Sequence, residues 1–180
     1  MSEELLPGYC IRRGSTLDKA LLVKFMQRTY QEAFPQQDFS HLARTVEQYF
    51  SKETPVWWVD FVRVEEGRSG GVSKSHSPFP PPPPSSSSPI ACLWVGNAID
   101  QVRGDRHVHI FLLYVLPEHR RRGIGTALMR YIEDWARSRG DHQIGLQVFQ
   151  TNTAAFNLYN QLHYQTHSLW MIKSLDDIGK

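Results

Sequence analysis

One stretch in the second half of the sequence restricts the folds that the chain can adopt. In this stretch a predicted strand is followed by a short basic turn and then by a predicted helix. The run His109–Val115 is rich in β-branched and aromatic residues, which predicts a strand, and Arg120–Arg122 follow shortly after it. Gly123 and Gly125 then open a segment of helical periodicity that Gly140 ends. A strand, a glycine turn and a helix in this order predict an α/β fold with an anion at the helix N-terminus.

The anion that suits this turn is a diphosphate. Small residues let backbone N–H groups approach a phosphate, and the three arginines add full positive charge beside them. A Walker P-loop is excluded because the chain lacks GxxxxGKS or GxxxxGKT, and the dinucleotide pattern GxGxxG is incomplete. The alternative is a solvated arginine cluster ahead of a helix whose glycines serve packing alone.

The remaining elements predict an α/β fold of the α+β sandwich type, with one mixed, mostly antiparallel sheet flanked by helices. Ser15 with Asp18 predicts a capping box at the start of the first helix, which carries Leu17 near its inner face. We expect a single domain over residues 1–180. The predicted strands are Tyr9–Arg13, Pro55–Glu65, Ile90–Ala98, His107–Val115, Gln143–Phe149 and Tyr164–Leu175, and the predicted helices begin at Ser15, Ser40, Gly123 and Asn152.

Residues 67–89 differ in kind from the rest, since they contain the run SPFPPPPPSSSSP. Consecutive prolines lack the N–H donor that a sheet requires, and the segment has little to bury. It is therefore predicted to be a flexible Pro/Ser-rich loop inserted between two strands of one domain. The alternative is a polyproline ligand for an SH3-like partner.

Composition favours a soluble, cytoplasmic protein without a nucleic-acid or membrane partner. The net charge is only +2, no apolar run reaches the length of a bilayer span, and MSEELLPG has no secretory h-region. Cys10 and Cys92 lie far apart and lack a CxxC pattern, as expected of reduced thiols. A homodimer is left open.

Two motifs together resemble the GNAT superfamily of N-acetyltransferases. The first, Gln or Arg followed by x-x-Gly-x and then Gly or Ala, stands as Arg120–Gly125, after the superfamily's V-x-P-E pattern at Val115–Glu118. The second, N-x-x-A-x-x-L-Y, matches Asn152–Tyr159. The order of elements agrees over nearly the whole chain except the Pro/Ser-rich insert. The resemblance implies an N-acetyltransferase that uses acetyl-CoA as cosubstrate.

The resemblance also implies roles for individual residues. The end of the strand resembles the segment whose backbone pairs with the pantetheine arm, and the turn resembles the one that wraps the pyrophosphate with its amides. Asn152 resembles the residue that hydrogen-bonds the arm, and Tyr159 resembles the tyrosine at the thioester sulfur. The coenzyme-binding residues so assigned are Leu113, Tyr114, Val115, Arg120, Arg121, Arg122, Gly123, Ile124, Gly125, Thr126 and Asn152.

The chemistry needs an amine that has lost its proton, so a general base with a pKa near neutrality helps. His109 stands where many members carry Glu, and its parity with Phe111 and Leu113 predicts one shared face. The alternative is a packed structural histidine, with water as the base. Tyr159 is the candidate acid for the departing thiolate, or else a core tyrosine, and the Val115 N–H is the candidate oxyanion donor.

Two further observations concern the class of acceptor and the absence of a metal from the predicted site. Gln147 stands where ribosomal-protein N-terminal acetyltransferases of the superfamily usually carry a Glu proton acceptor, a role that an amide cannot take. His107 and His109 share a strand but have no further ligands at suitable spacing, so no metal is expected.

The amine acceptor stays open among a small molecule, a lysine and a protein N-terminus. The first alternative to an enzyme is a coenzyme A-binding module whose activity is lost or regulatory. The second is an interaction protein that acts through the polyproline loop.

Overall fold

The computed structural model describes residues 2–62 and 88–175. The chain forms two compact units: residues 1–147 hold the whole sheet, and residues 148–180 hold the last helix. The single domain predicted over residues 1–180 therefore stays a prediction, and most of the predicted insert lies outside the described residues. The strands are β1 (Ser2–Leu6), β2 (Tyr9–Arg13), β3 (Val56–Phe61), β4 (Ala91–Ile99), β5 (Arg106–Val115) and β6 (Ile144–Leu146), and the helices are α1 (Lys19–Ala33), α2 (Leu42–Tyr49), α3 (Ile124–Ser138) and α4 (Thr153–Gln161).

The strands form one sheet in the order β1-β2-β3-β4-β5-β6. Neighbours are antiparallel from β1 to β5, and β5 is parallel to β6, with α3 as the crossover between them. This confirms the predicted α/β fold with a mixed, mostly antiparallel sheet. The sequence does not predict β1, because Ser-Glu-Glu-Leu-Leu is poor in β-forming residues; a hairpin at Gly8, with φ of 79°, pairs it with β2.

Helices α1 and α2 pack on one face of the sheet over two tryptophans. Trp58 of β3 and Trp94 of β4 are buried there together with Phe25 of α1 and Val46 of α2. Phe25 meets the ring of Trp58 edge-on, with 5.2 Å between the ring centroids. These large apolar side chains fill the core on this face, which we call the α1/α2 face.

The predicted capping box is present and is anchored to this core. Ser15 N donates to Asp18 Oδ2 at 2.7 Å, and Trp58 Nε1 donates to the same oxygen at 3.1 Å. The prediction that Leu17 lies near the inner face is wrong, because the chain makes a short 3-10 turn before α1 and leaves Leu17 91% exposed. The helical periodicity therefore holds only from α1 onwards.

Helix α3 packs on the opposite face of the sheet. Trp57 of β3 contacts two aromatic residues of α3, with ring centroids 5.9 Å from Tyr131 and 5.1 Å from Trp135. Leu128 and Ile132 of α3 are fully buried. The predicted amphipathic helix after the basic turn is therefore confirmed, and its apolar stripe lies against the sheet.

A bulge in β5 interrupts the alternation of its side chains. Trp94 of β4 pairs with Leu112, but the next residue, Val95, pairs with Ile110. Phe111 is therefore the extra residue of β5, opposite no residue of its own on β4.

The bulge decides which residues share a face with His109. His109 pairs with Gly96 on the α1/α2 face, and its ring centroid lies 5.5 Å from that of Phe111, so these two residues do share a face. Leu113 instead pairs with Leu93, whose partner on β3 packs against α3. The prediction that Leu113 shares the face of His109 is wrong, because the extra residue reverses the alternation beyond it.

Two predicted strands are shorter or absent. Strand β6 covers Ile144–Leu146 and not Gln143–Phe149, because only three residues of β5 pair with it. Residues 164–175, predicted as a terminal strand, lie in no helix or strand. Trp170 and Met171 there are 78% and 87% exposed. A β-type composition does not make a strand without a partner to pair with.

Candidate active site

The end of β5 directs one backbone edge away from β4. Leu116 N donates to Ile90 O at 2.8 Å, which turns that residue towards β4. Strand residues alternate, so Leu113 and Val115 direct their N–H and C=O groups to the opposite edge. Strand β6 pairs with that edge only at Val108–Ile110. An extended ligand could pair with the rest of β5 as an added strand does.

Arg120 ties the end of β5 to helix α1. Its Nε donates to Val115 O at 2.8 Å, and its Nη2 donates to Glu32 Oε2 at 2.6 Å. The guanidinium carbon lies 5.4 Å from the centroid of the Tyr114 ring. The Tyr114 hydroxyl donates to the other carboxylate oxygen of Glu32. Burial and then this bond to Glu32 raise the pKa of Tyr114, so its hydroxyl remains a donor at neutral pH.

The turn after β5 has backbone torsions suited to an anion. Arg121 and Gly123 have positive φ angles of 62° and 81°, and such reversals gather N–H groups into anion-binding concavities. Gly123 is the N-cap of α3, and no side chain caps this helix. Because Ala127 N makes the bond to Gly123 O, at 2.9 Å, the N–H groups of Ile124–Thr126 have no acceptor within the helix. Uncapped donors and the positive end of the helix dipole therefore coincide here.

The three arginines of the turn differ in what holds them. Arg120 is engaged by Glu32 and by the backbone. Arg122 Nη1 donates to the Tyr9 hydroxyl at 3.1 Å, and that oxygen lies 3.2 Å from Nδ1 of a histidine, His119. Arg121 is exposed and takes part in none of the ion pairs found within residues 2–62 and 88–175. Its charge is therefore the most accessible of the three to a phosphate.

A cavity of about 520 Å³ opens beside this turn, between β1 and α3. Gly123 and Thr126 line one side of it, Glu3 and Glu4 line another, and Arg130 lies among them. Charges of both signs border the cavity, so it does not select an anion as the turn does.

His109 lies before the bulge in β5, beside a second histidine and a glycine of β6. A Cβ atom on Gly145 would stand 3.2 Å from His107 Nε2 and 3.4 Å from His109 Nδ1, so the glycine makes room for both rings. Burial, followed by the nearby His107, lowers the pKa of His109. A neutral imidazole can accept a proton at pH ~7.

Within the described residues, no group of three or more His, Cys, Asp or Glu side chains could hold a metal ion. None of the helices in those residues has the length and apolarity that crossing a membrane requires.

Asn152 and Tyr159 belong to the second unit. Asn152 is the N-cap of α4, and its Oδ1 accepts from Ala155 N at 3.2 Å, so its amide N–H groups take no part in the cap. Burial raises the pKa of Tyr159 to about 12. His163 follows the helix with a φ of 65°, a conformation that glycine adopts more readily. The motif that resembles a coenzyme-binding helix therefore does form a helix with its asparagine at the start.

Comparison with protein families identifies the chain. The model of the acetyltransferase (GNAT) family matches residues 22–164, which include β5, the basic turn, α3 and α4. The chain belongs to the GNAT acetyltransferase family. The resemblance drawn from its two motifs is therefore confirmed.

Two curated relatives of this GNAT family member match it over part of their length. The uncharacterized N-acetyltransferase YobR of Bacillus subtilis is 36% identical over 52 residues, which make up 29% of this chain and 21% of that protein. Thialysine N-epsilon-acetyltransferase of Mus musculus is 37% identical over 60 residues, which make up 33% of this chain and 35% of that protein. The match thus spans a minor part of each relative's length.

The fold of this family member has solved counterparts. A protein described as a predicted acetyltransferase from Clostridium acetobutylicum, crystallised with acetyl-CoA, superposes with a TM-score of 0.66. The two share 16% sequence identity, and the match covers 93% of this chain and 96% of that chain. At this identity the likeness concerns the fold alone.

The fold brings the predicted coenzyme residues of the first unit together at the end of β5 and the start of α3. The backbone of Tyr114 is the exception, because it pairs with Cys92 of β4 and is not directed to the open edge of β5. The sequence does not reveal Glu32 and Tyr9, which contact the arginines of the turn from distant parts of the chain. A glutamate late in a helix and a tyrosine at the start of a strand carry no sign of such a partner.

Proposed function

We propose that this acetyltransferase moves an acetyl group from acetyl-CoA directly to an amine in a ternary complex. The observation that carries the proposal is the edge of β5 at Leu113 and Val115, which leads through the basic turn into the uncapped N-terminus of α3. A pantetheine arm needs an extended backbone partner, and the diphosphate joined to it needs a cluster of N–H donors. The two features lie in this order along the chain.

The residues present fit acetyl-CoA in their chemistry. Leu113 offers its backbone groups to the arm and Val115 offers its N–H to the thioester carbonyl, while the N–H groups of Gly123–Thr126 offer donors to the diphosphate, with the exposed charge of Arg121 beside them. The resemblance adds the amide of Asn152 as a donor to the arm. The acetyl-CoA complex of the Clostridium acetobutylicum protein supports the same cosubstrate. The proposal requires no metal.

In the proposed reaction, the neutral amine nitrogen attacks the carbonyl carbon of the thioester. The new C–N bond forms, the C–S bond breaks, and the thiolate leaves with the electron pair of that bond. The Val115 N–H stabilises the oxyanion of the intermediate. The proton of the amine passes through water to His109, because Val115 follows His109 by six residues along β5, and the lowered pKa of His109 keeps its imidazole neutral and able to accept it. Water is the alternative acceptor of this proton.

Tyr159 assists the departure of the thiolate as a hydrogen-bond donor. Its pKa is raised to about 12, whereas an ordinary thiol has a pKa of about 8.5. A complete transfer of the phenol proton to the thiolate is therefore uphill. Donation without transfer still stabilises the negative charge that develops on sulfur, so we assign the tyrosine this moderate role. It rests on the match of its motif.

The acceptor is a small amine, a lysine or a protein N-terminus. A small amine is the leading candidate, because one relative carries a name, thialysine N-epsilon-acetyltransferase, that indicates an amino-acid side chain as its acceptor. Gln147 argues against the acceptors of ribosomal-protein acetyltransferases, since an amide cannot accept the proton.

We further propose a cytoplasmic protein without a nucleic-acid or membrane partner, with a homodimer left open. The two cysteines are both free, Cys10 partly and Cys92 fully buried, as a reducing compartment allows. Burial raises the pKa of Cys92, which makes that thiol unreactive.

Two measurements test the function. Calorimetric titration with coenzyme A and acetyl-CoA tests binding at the end of β5 and the N-terminus of α3. A ligand at about 100 times its Kd should add ~2.7 kcal/mol of stability, seen as a higher Tm. Release of free thiol from acetyl-CoA with a panel of amines, including thialysine, lysine peptides and peptides with free N-termini, tests the transfer. Binding without thiol release for any amine would favour the coenzyme A-binding module, and no binding at millimolar ligand would refute the proposal.

A further inference from the structure

Both oxygens of one carboxylate on α1 are occupied by residues at the end of β5. Glu32 accepts the Tyr114 hydroxyl on Oε1 and Arg120 Nη2 on Oε2, the latter at 2.6 Å. The Nε of the same guanidinium reaches Val115 O at 2.8 Å. A continuous chain of contacts therefore runs from α1 to the backbone of the residue that is the proposed oxyanion donor.

The contribution of this cluster to overall stability is small. The side chains of Arg120 and Glu32 are 42% and 38% exposed, and an exposed ion pair typically contributes about 0–1 kcal/mol. Its geometry is nevertheless well defined, because the guanidinium is held by a carboxylate, by a carbonyl and by the face of Tyr114 at 5.4 Å. Such a fork fixes direction as well as distance. The cluster is therefore better suited to orienting a group than to holding the fold.

The group that it orients is the backbone at Val115. The carbonyl of Val115 points to the edge of β5 that β6 does not cover, and the bond from Arg120 holds it there. Since the N–H and C=O of one strand residue point to the same side, restraining the carbonyl also restrains the direction of the N–H.

We propose that Glu32 is a positioning residue for acetyl transfer, which acts through Arg120 to hold the Val115 backbone in the direction that stabilises the oxyanion. This inference rests on the proposed function. Arg120 then serves the reaction by its contacts with the protein, while Arg121 and the helix N-terminus hold the phosphates. Helix α1 thereby becomes part of the catalytic geometry through Glu32.

A double-mutant cycle tests this role. Glu32→Gln keeps an oxygen for Tyr114 and removes the charge that holds Arg120, and Arg120→Gln removes the guanidinium fork. Complete removal of an oxyanion donor costs about 10²–10³ in kcat, so a loosened donor should cost about tenfold. The Kd of coenzyme A, measured by calorimetry, should change less than about threefold, since that ligand lacks the acetyl group. The double variant should be no slower than Arg120→Gln alone, because both residues act through one path.

Glu47→Gln is the matched control. It removes a different ion pair of α1, that of Lys19 with Glu47 at 3.8 Å, and should leave kcat at the wild-type value. An unchanged kcat in Glu32→Gln, additive losses in the cycle, or an equal loss in the control would each overturn the inference while leaving the proposed function standing.

A second variant, Tyr114→Phe, tests the inference if Glu32→Gln fails to fold. Tyr114→Phe removes the hydroxyl bond to Glu32 and leaves the Arg120 pair, so its kcat should fall only about threefold, again with unchanged affinity for coenzyme A. A full wild-type kcat in this variant would contradict the inference that these side chains position the Val115 backbone. A wild-type protein that binds coenzyme A but releases no thiol would refute the proposed function and this inference together.

Discussion

Replacing Gly123 by alanine separates the conformational role of this residue from its role in coenzyme binding. Gly123 has a φ of 81°, and an added Cβ would meet only Leu6 Cδ1, at 3.9 Å. There is thus room for the methyl group, and the cost lies in the left-handed backbone. That cost is about 1–2 kcal/mol for a residue with a Cβ, and the lower entropy of the unfolded chain offsets about 0.4–1 kcal/mol of it. The net loss is about 1 kcal/mol, or about 2–4 °C in Tm for a chain of this size.

The effect on coenzyme binding should be larger than the effect on stability. Relaxation of the strained turn moves the N–H groups of Ile124–Thr126, which have no acceptor within α3. The loss of one hydrogen bond to a charged group costs about 1.5–3 kcal/mol, which corresponds to a Kd that is about 10- to 150-fold higher. Calorimetric titration with coenzyme A measures this change directly.

Gly140 offers a matched control at the other end of the same helix. It has a φ of 78° and no atom within 4 Å of an added Cβ, so Gly140→Ala should lose about the same stability as Gly123→Ala. Its Kd for coenzyme A should equal that of the wild type. Equal losses of Tm with equal, unchanged Kd values in both variants would refute the assignment of the phosphates to the N-terminus of α3.

Three further predictions concern single side chains. Tyr159→Phe should lower kcat by about tenfold, below the ~10²–10⁴ typical of acid–base groups because the phenol donates a hydrogen bond without giving up its proton, with little change in acetyl-CoA affinity. Steady-state kinetics and calorimetry check this, and a normal kcat would show that the tyrosine serves packing alone. For His109, the base works in its neutral form, so the rate falls as the pH drops through its pKa, and because that pKa is lowered, the acidic limb should lie below pH ~6.5. His109→Gln should abolish this inflection in the pH–rate profile, and an unchanged profile would transfer the role to water. His163→Gly should raise the free energy of unfolding by about 1 kcal/mol, because it relieves a left-handed φ of 65° on an exposed residue; a melt that shows a lower Tm would contradict this.

The sequence predicts the parts of this fold in which local signals and burial agree. The strand before the basic turn, the glycine start of α3 and the asparagine start of α4 follow from composition, periodicity and caps, and all three are present. It fails where the pairing partner decides the outcome. Strand β1 forms from a glutamate-rich segment because β2 is available to it, whereas residues 164–175 have a β-type composition and form no strand.

The candidate site divides in the same way. Backbone features of the turn can be predicted, because glycines and arginines in a fixed order are local. The bulge at Phe111 cannot, since nothing in an alternating run marks which residue will lack a partner. The same holds for Glu32, which meets Arg120 across 88 residues of sequence.

The bulge also explains how one strand serves both halves of the proposed reaction. Before it, His109 lies on the α1/α2 face; after it, Leu113 lies on the α3 face, while Val115 directs its backbone to the edge that β6 leaves uncovered. A regular strand would keep His109 and Leu113 on one face. The irregular one leaves the side chain of His109 on the α1/α2 face and places that of Leu113 on the α3 face, while the open backbone edge at Leu113 and Val115 stays in the plane of the sheet. The proposed base and the proposed oxyanion donor are therefore held by one strand, about 20 Å apart at ~3.3 Å per residue, so the proton of the amine reaches His109 through water.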